Sequence, residues 1–212
     1  MYINISMMLK EIKILQKEIG KTVNNRLKEF SLFSKKRNEE WFSELCFCIL
    51  TANSKAATAI AIQRELRSEG FIYCTKIQLS NCIKRNKHRF HNNKAKYIIA
   101  ARKFTDVRDI LRGIEGSISK REWLVKNIKG IGYKEASHFL RNTGHFDLAI
   151  LDRHVQNLLV ENNYLKEKPK TISRKEYLEI EEILLDLSKK LKMSQAELDL
   201  YLWYLKTDQI LK

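Results

Sequence analysis

Ile128-Lys129-Gly130-Ile131-Gly132-Tyr133-Lys134-Glu135-Ala136-Ser137-His138-Phe139-Leu140-Arg141-Asn142 decides how the rest of the chain is read. The chain has seven glycines, and two of them stand here one residue apart. They separate a segment of helical character, 119–128, from another, 133–142. Two glycines at that spacing permit positive φ and a hairpin too tight for a Cβ. Backbone N–H groups at such a bend, and at the start of the helix after it, point outward toward an anion. The pattern reads as a helix-hairpin-helix with Lys134 in the first turn of its second helix.

Charge says which anion to expect. The 212 residues carry 40 Lys and Arg against 25 Asp and Glu, a formal net charge of +15. An excess this large fits a polyanionic partner and supplies the salt-sensitive part of nucleic-acid binding. A ribosomal or simple structural protein can be as basic, so charge alone favours nucleic acid without naming a function.

A single proline, Pro169, and few glycines point to a mostly helical chain. β-Branched residues do not gather into alternating runs with paired turns, which argues against a sheet protein. The expected fold class is all-α. Cys46, Cys48, Cys74 and Cys82 form no CxxC pair and no cluster near the C-terminus, so no zinc or iron–sulfur site is expected. Cys46 and Cys48 fall in an apolar run, where cysteine behaves as a small hydrophobe. Free thiols, no membrane-length apolar run and no signal-peptide core give an intracellular, prokaryotic-type expectation: cytoplasm or nucleoid, no membrane.

Apolar residues at Met8, Ile12, Ile14, Leu15 and Ile19 predict a first helix over 7–18, ended by Gly20, with 23–33 as a second helix or turn. A buried helix follows over 39–50. Ser54 is expected to cap 55–68, and Gly70 to stop it. A short helix over 76–84 leads to a polar, basic loop, 86–93, interrupted by the single aromatic Phe90. Helical character resumes over 94–104, 106–112 and 119–128, with Ser119 and Glu122 in capping-box spacing. Gly144 should end the helix after the hairpin, and 145–151 should be extended and apolar. Asp152 opens a helix over 153–161. Ser173 caps one reaching about 191, and Ser194, with Glu197 three on, caps the last, to about 205. The chain reads as about a dozen helices without repeats.

Two residues carry candidate chemistry. Lys134, in the opening turn of a helix and among other cations, sits where the macrodipole and like charges disfavour the ammonium. A neutral amine is what a lysine needs to attack carbon and form a Schiff base. A solvated lysine touching a phosphate fits the position equally. Asp152 lies eighteen residues later; as an N-cap it accepts backbone N–H bonds that favour the carboxylate. A carboxylate so fixed can stabilise a developing oxocarbenium ion, although most aspartates in such positions are caps and nothing more.

Taken together, Gly130-Ile131-Gly132-Tyr133-Lys134-Glu135-Ala136 and Leu151-Asp152-Arg153-His154 resemble the helix-hairpin-helix DNA glycosylase superfamily of the endonuclease III type. Residues 133–142, Ile150 to His154 and Trp203-Tyr204-Leu205-Lys206-Thr207 resemble more closely its small, mostly archaeal class of 8-oxoguanine DNA glycosylase/AP lyases. Thr51-Ala52-Asn53 and Arg89-Phe90-His91-Asn92-Asn93-Lys94-Ala95 fit as well. The resemblance runs from about residue 40 to the end; Asp208 departs from the glycine expected after Lys206-Thr207.

The resemblance implies two helical subdomains with a cleft between them: residues 37–147 as a helical barrel carrying the hairpin, and 1–36 with 148–212 as the second. Lys134 and Asp152 would face each other across the junction, the lysine as nucleophile and the aspartate as essential carboxylate. The implied partner is double-stranded DNA containing 8-oxoguanine, bound by a monomer that flips the damaged base into the cleft. Lys129, Gly130, Gly132 and His154 would hold the DNA backbone. Phe90 is a candidate wedge for the gap left by the base, although a loop residue folded onto the core fits it nearly as well. Trp203 is a candidate stacking platform, a core aromatic being its plain alternative. Lys212 is a candidate for recognising the oxidised guanine. No metal or cofactor is implied beyond a monovalent cation on hairpin carbonyls when DNA is bound. The competing readings are a glycosylase for another oxidised base, a non-catalytic helix-hairpin-helix DNA-binding protein, and a basic RNA-associated protein.

Overall fold

The computed structural model describes the backbone of residues 3–212 and the side chains from Met7 onward. Among these residues every regular element is a helix. In chain order they are α1 (Ile3–Phe33), α2 (Asn38–Thr51), α3 (Ala56–Tyr73), α4 (Lys76–Arg85), α5 (His91–Ala101), a 3-10 turn (Arg102–Phe104), α6 (Val107–Arg112), α7 (Ser117–Asn127), α8 (Tyr133–Asn142), α9 (Arg153–Glu161), α10 (Arg174–Leu191) and α11 (Gln195–Thr207). They form two compact units, one of residues 34–143 and one of α1 together with residues 144–212.

The first unit is built around α2. Its Trp-Phe-Ser-Glu-Leu-Cys-Phe-Cys-Ile-Leu run has no polar face, and a helix apolar all round must be enclosed. Every residue from Trp41 to Thr51 is buried, with α3, α5, α6 and α8 packed around it. Trp41 meets Phe139 edge to face at 5.8 Å and Phe47 meets the His138 ring at 5.6 Å, fixing α8 against α2. The one charge on this stretch, Glu44, is satisfied: Asn142 Nδ2 donates to its carboxylate at 2.7 Å and Gln63 Nε2 at 3.1 Å. Arg141 in turn donates to Asn142 Oδ1 through Nε at 3.1 Å and Nη2 at 2.9 Å. A buried carboxylate without such donors would be strongly destabilising.

The second unit sets α11 against α1, α9 and α10. Of the 145–151 connection expected to be extended and apolar, Leu148–Leu151 is buried while Asp147 is exposed, and the run turns at its end, the Asp152 N–H donating to the Ile150 carbonyl at 3.0 Å. The Tyr177 hydroxyl donates to the Ala149 carbonyl at 2.8 Å, satisfying backbone that has no strand partner.

Several helix boundaries follow the sequence signals. Ser173 accepts from the N–H of Glu176, Ser194 from that of Glu197, and Gly144 takes a positive φ of 96° just beyond α8. Several expectations fail. Gly20 does not end a helix, because α1 runs through it to Phe33. Ile14 is 54% exposed, and the buried face of α1 is Met8, Ile12, Val23 and Phe30 instead. Ser54 and Gly70 do not bound α3: the N-cap is Lys55 with no side-chain bond, Gly70 lies inside, and the break is at Arg67 (φ 52°). Ser119 is no cap either. Helix α7 starts two residues earlier after Gly116 (φ 73°), and the Glu122 carboxylate accepts the Tyr133 hydroxyl at 2.6 Å. The basic loop also ends sooner than its polarity implied, since α5 begins at His91 with Phe90 as its N-cap.

Candidate active site

Between α7 and α8 the chain reverses in one turn, closed by the Ile131 N–H donating to the Ile128 carbonyl at 3.2 Å. Gly130, third of these four residues, has φ +90°, the conformation a type II turn demands there. A second constraint acts on the same residue: a Cβ would stand 2.4 Å from the Tyr97 ring of α5. Ile128 and Ile131 are buried beneath the turn, whereas Lys129 is exposed. The hairpin therefore presents its backbone and Lys129 outward while its apolar residues anchor it.

Gly132 precedes α8, and its N–H donates to Glu135 Oε2 at 3.2 Å, half of a capping box because glycine has no side chain to complete it. Lys134 is the second residue of α8, and its Nζ lies 3.0 Å from Glu135 Oε1. Its side chain is one-quarter exposed. Behind the hairpin, the fully buried Arg121 donates to Ser137 Oγ at 3.3 Å and stacks 5.4 Å from the Tyr133 ring centre. Lys129, Gly130, Gly132 and Lys134 thus belong to one short surface.

Asp152 belongs to the other unit. It is the N-cap of α9, with Oδ1 accepting from the Val155 N–H at 2.8 Å. Two residues on, the His154 ring packs edge to face on Trp203 of α11 at 5.0 Å. The Trp203 indole N–H is buried and has no hydrogen-bond partner. Lys212 is half-buried at the end of the chain. The structure thus gathers His154 and Trp203 into one cluster beside the Asp152 cap. Phe90 belongs to the first unit and is half-buried, with the Arg89 guanidinium 4.8 Å over its ring.

Sequence reading missed three residues near these. Glu135 contacts both the hairpin and Lys134. Lys94, 5% exposed, donates from Nζ to the Ile49 carbonyl at 2.6 Å; burial pushes its amine down to about 8, Glu135 opposing and Lys134 adding to the shift. His88, equally buried, spans Leu50 and Phe90. Each acts through a partner distant in sequence or through a bent side chain, which residue type alone does not signal. No three His, Cys, Asp or Glu side chains among the described residues come together as a metal site.

A helix pair joined by a glycine hairpin, with a lysine at the head of its second helix, defines the class. A solved non-covalent endonuclease III–DNA complex shares the fold with a TM-score of 0.56 at 17% identity, over 89% of this chain and 85% of that one. This is the helix-hairpin-helix DNA glycosylase fold. Within it, the 8-oxoguanine DNA glycosylase family model matches residues 23–193, and the chain belongs to that family. It is 50% identical over 207 residues to the 8-oxoguanine DNA glycosylase/AP lyase of Methanocaldococcus jannaschii, covering 97% of this chain and all of that protein. The solved structure of the M. jannaschii 8-oxoguanine glycosylase/lyase with a 15mer DNA containing 8-oxoguanine matches at a TM-score of 0.95, over 97% of this chain and all of that one.

Proposed function

We propose that this chain is a bifunctional DNA repair enzyme that excises 8-oxoguanine from double-stranded DNA and cleaves the resulting abasic site through a Schiff base on Lys134. The observation that carries the reading is the pairing of a lysine on a DNA-binding hairpin with an N-cap aspartate, in a chain half identical, end to end, to an enzyme of that name. Lys134 Nζ, as the neutral amine, attacks C1′ while the bond to the base breaks and its electrons leave with the base. Asp152 stabilises the positive charge that develops on the sugar. The sugar ring opens to an imine, a C2′ proton is lost and the 3′ C–O bond breaks, cutting the strand on the 3′ side of the lesion. Hydrolysis of the imine frees Lys134.

In this reading residues 37–147 and the pair 1–36 with 148–212 form the two sides of the cleft, and Lys129, Gly130, Gly132 and His154 hold phosphates. The backbone carbonyls of the hairpin would hold a monovalent cation, which would supply positive charge toward the DNA backbone. Phe90, beside the basic residues Arg89 and His91, fills the gap in the duplex. Trp203 stacks on the extruded base. Lys212 contacts the oxidised guanine. The enzyme works as a monomer where cellular DNA is exposed in a prokaryotic-type cell.

Borohydride trapping on 8-oxoguanine duplex DNA tests the proposal. A covalent adduct with the wild type and none with Lys134→Gln is expected; no wild-type adduct, or an undiminished one in the variant, overturns it. A panel of duplexes each bearing one lesion separates 8-oxoguanine from another oxidised base.

A further inference from the structure

Neighbouring helix positions point about 100° apart and do not face each other. Lys134 and Glu135 nonetheless meet at 3.0 Å, so both side chains bend toward the start of α8. The bend has a visible cause. Glu135 reaches back to the Gly132 N–H with Oε2, which leaves Oε1 facing the lysine. A carboxylate serving only as a cap would turn its second oxygen to water. Here the side chain is 13% exposed and both oxygens are engaged.

A second cation is set in the same field. Lys94, buried on α5 and held by the Ile49 carbonyl of α2, attracts the Glu135 carboxylate and repels the Lys134 ammonium. Lys94 also acts on His88, buried before α5, whose pKa it helps to lower. The Glu135 carboxylate is in direct contact with the hairpin N–H and with Lys134, whose side chain is one-quarter exposed.

We infer that Glu135 is a positioning residue for Lys134, tying the amine to the hairpin that grips the DNA. This rests on Lys134 being the Schiff-base lysine. The coupling has a mechanical use: the hairpin and the nucleophile move as one body, so phosphate binding at the turn registers the amine against the sugar. Misplacing a reacting group by about 1 Å costs of order a hundredfold.

Single-turnover borohydride trapping on duplex DNA with one natural abasic site tests the inference, run beside affinity for a tetrahydrofuran-containing duplex and thermal melting. Glu135→Gln keeps an oxygen for the Gly132 N–H but removes the charge. Melting and affinity should match the wild type, while trapping at saturating enzyme slows about tenfold. Wild-type trapping rate in Glu135→Gln overturns the inference, and so does parallel loss of melting temperature, affinity and trapping, which would make Glu135 a cap only. Absence of any wild-type adduct would instead overturn the proposed function.

Discussion

Lys94 Nζ donates a 2.6 Å hydrogen bond to the carbonyl of Ile49, in the last turn of α2. That helix has no basic residue of its own near its C-terminus. Its terminal carbonyls, which have no intrahelical partner and carry the negative end of the dipole, are met from outside instead. His88 Nε2 meets the next carbonyl, Leu50, at 2.9 Å. The start of α5, with Phe90 as its cap, is thereby fastened to the most buried helix of the unit.

Burial holds the Lys94 amine at about 8, below the ordinary 10.5. Between those values the unfolded chain binds a proton that the folded chain has released, so folding becomes more favourable as pH rises through the window. Below about 8 both states are charged and the burial cost is constant. In denaturant titrations the wild type should gain stability relative to Lys94→Met as pH is raised from 8 toward 10.5. A pH-independent difference between the two would show that the Lys94 ammonium is not desolvated.

His88 predicts the opposite end of the pH scale. Its Nδ1 accepts the Phe90 N–H at 3.1 Å, so the proton sits on Nε2 facing Leu50 and the ring is neutral. Burial lowers its pKa from 6.5, only partly offset by the Leu50 bond, with Lys94 and His91 lowering it further. Stability from this group is complete above 6.5 and declines as pH falls from there toward the folded value. The protection factor of the Phe90 amide, its exchange rate corrected for the intrinsic pH dependence, should fall over that window in the wild type. His88→Gln, which has nothing to titrate, should show no such fall.

The hairpin was legible because its signals are local: Gly130, Gly132 and Lys134 lie within five residues, and Asp152 caps the helix it begins. Ser173 and Ser194 were legible for the same reason. What was hidden depends on contacts between remote segments. Gly130 is also required by Tyr97, and Lys94 is explained only by the Ile49 carbonyl. Gly20 misled because a glycine after an apolar stripe looks like a stop, yet α1 has α11 to lie against and continues.

Gly20 accordingly offers a stabilising change. A Cβ there would stand 3.5 Å from the Tyr201 hydroxyl, an ordinary contact. Helical φ and ψ suit alanine, and the unfolded chain would lose freedom. Gly20→Ala should therefore raise unfolding free energy by about 1 kcal/mol. A melting temperature at or below that of the wild type would mean the Tyr201 approach is tighter than this geometry.

Asp208 stands where the resemblance led us to expect glycine, and it closes α11 in the left-handed conformation, φ 53° and ψ 26°, its N–H donating to the Tyr204 carbonyl at 2.9 Å. An L side chain pays for that conformation and glycine does not. Asp208→Gly should stabilise the protein by about 0.5–1 kcal/mol, measured by denaturant unfolding. Asp208→Val should destabilise it, because a β-branched residue tolerates positive φ least.

Asp152 allows cap and catalyst to be separated. Its Oδ1 accepts the Val155 N–H at 2.8 Å, a bond that an asparagine oxygen makes equally well. Asp152→Asn should melt with the wild type and bind abasic-analogue DNA with unchanged affinity. The substitution removes the negative charge, which only a reaction that builds positive charge on the sugar would miss. Borohydride trapping and strand cleavage should then fall by of order a hundredfold, the scale on which loss of one electrostatic group acts. A non-catalytic DNA-binding protein would be indifferent to the change, since its cap would be intact and its phosphate contacts, on the hairpin and at His154, would be untouched. Unaltered cleavage by Asp152→Asn would therefore leave Asp152 as a cap and remove it from the mechanism.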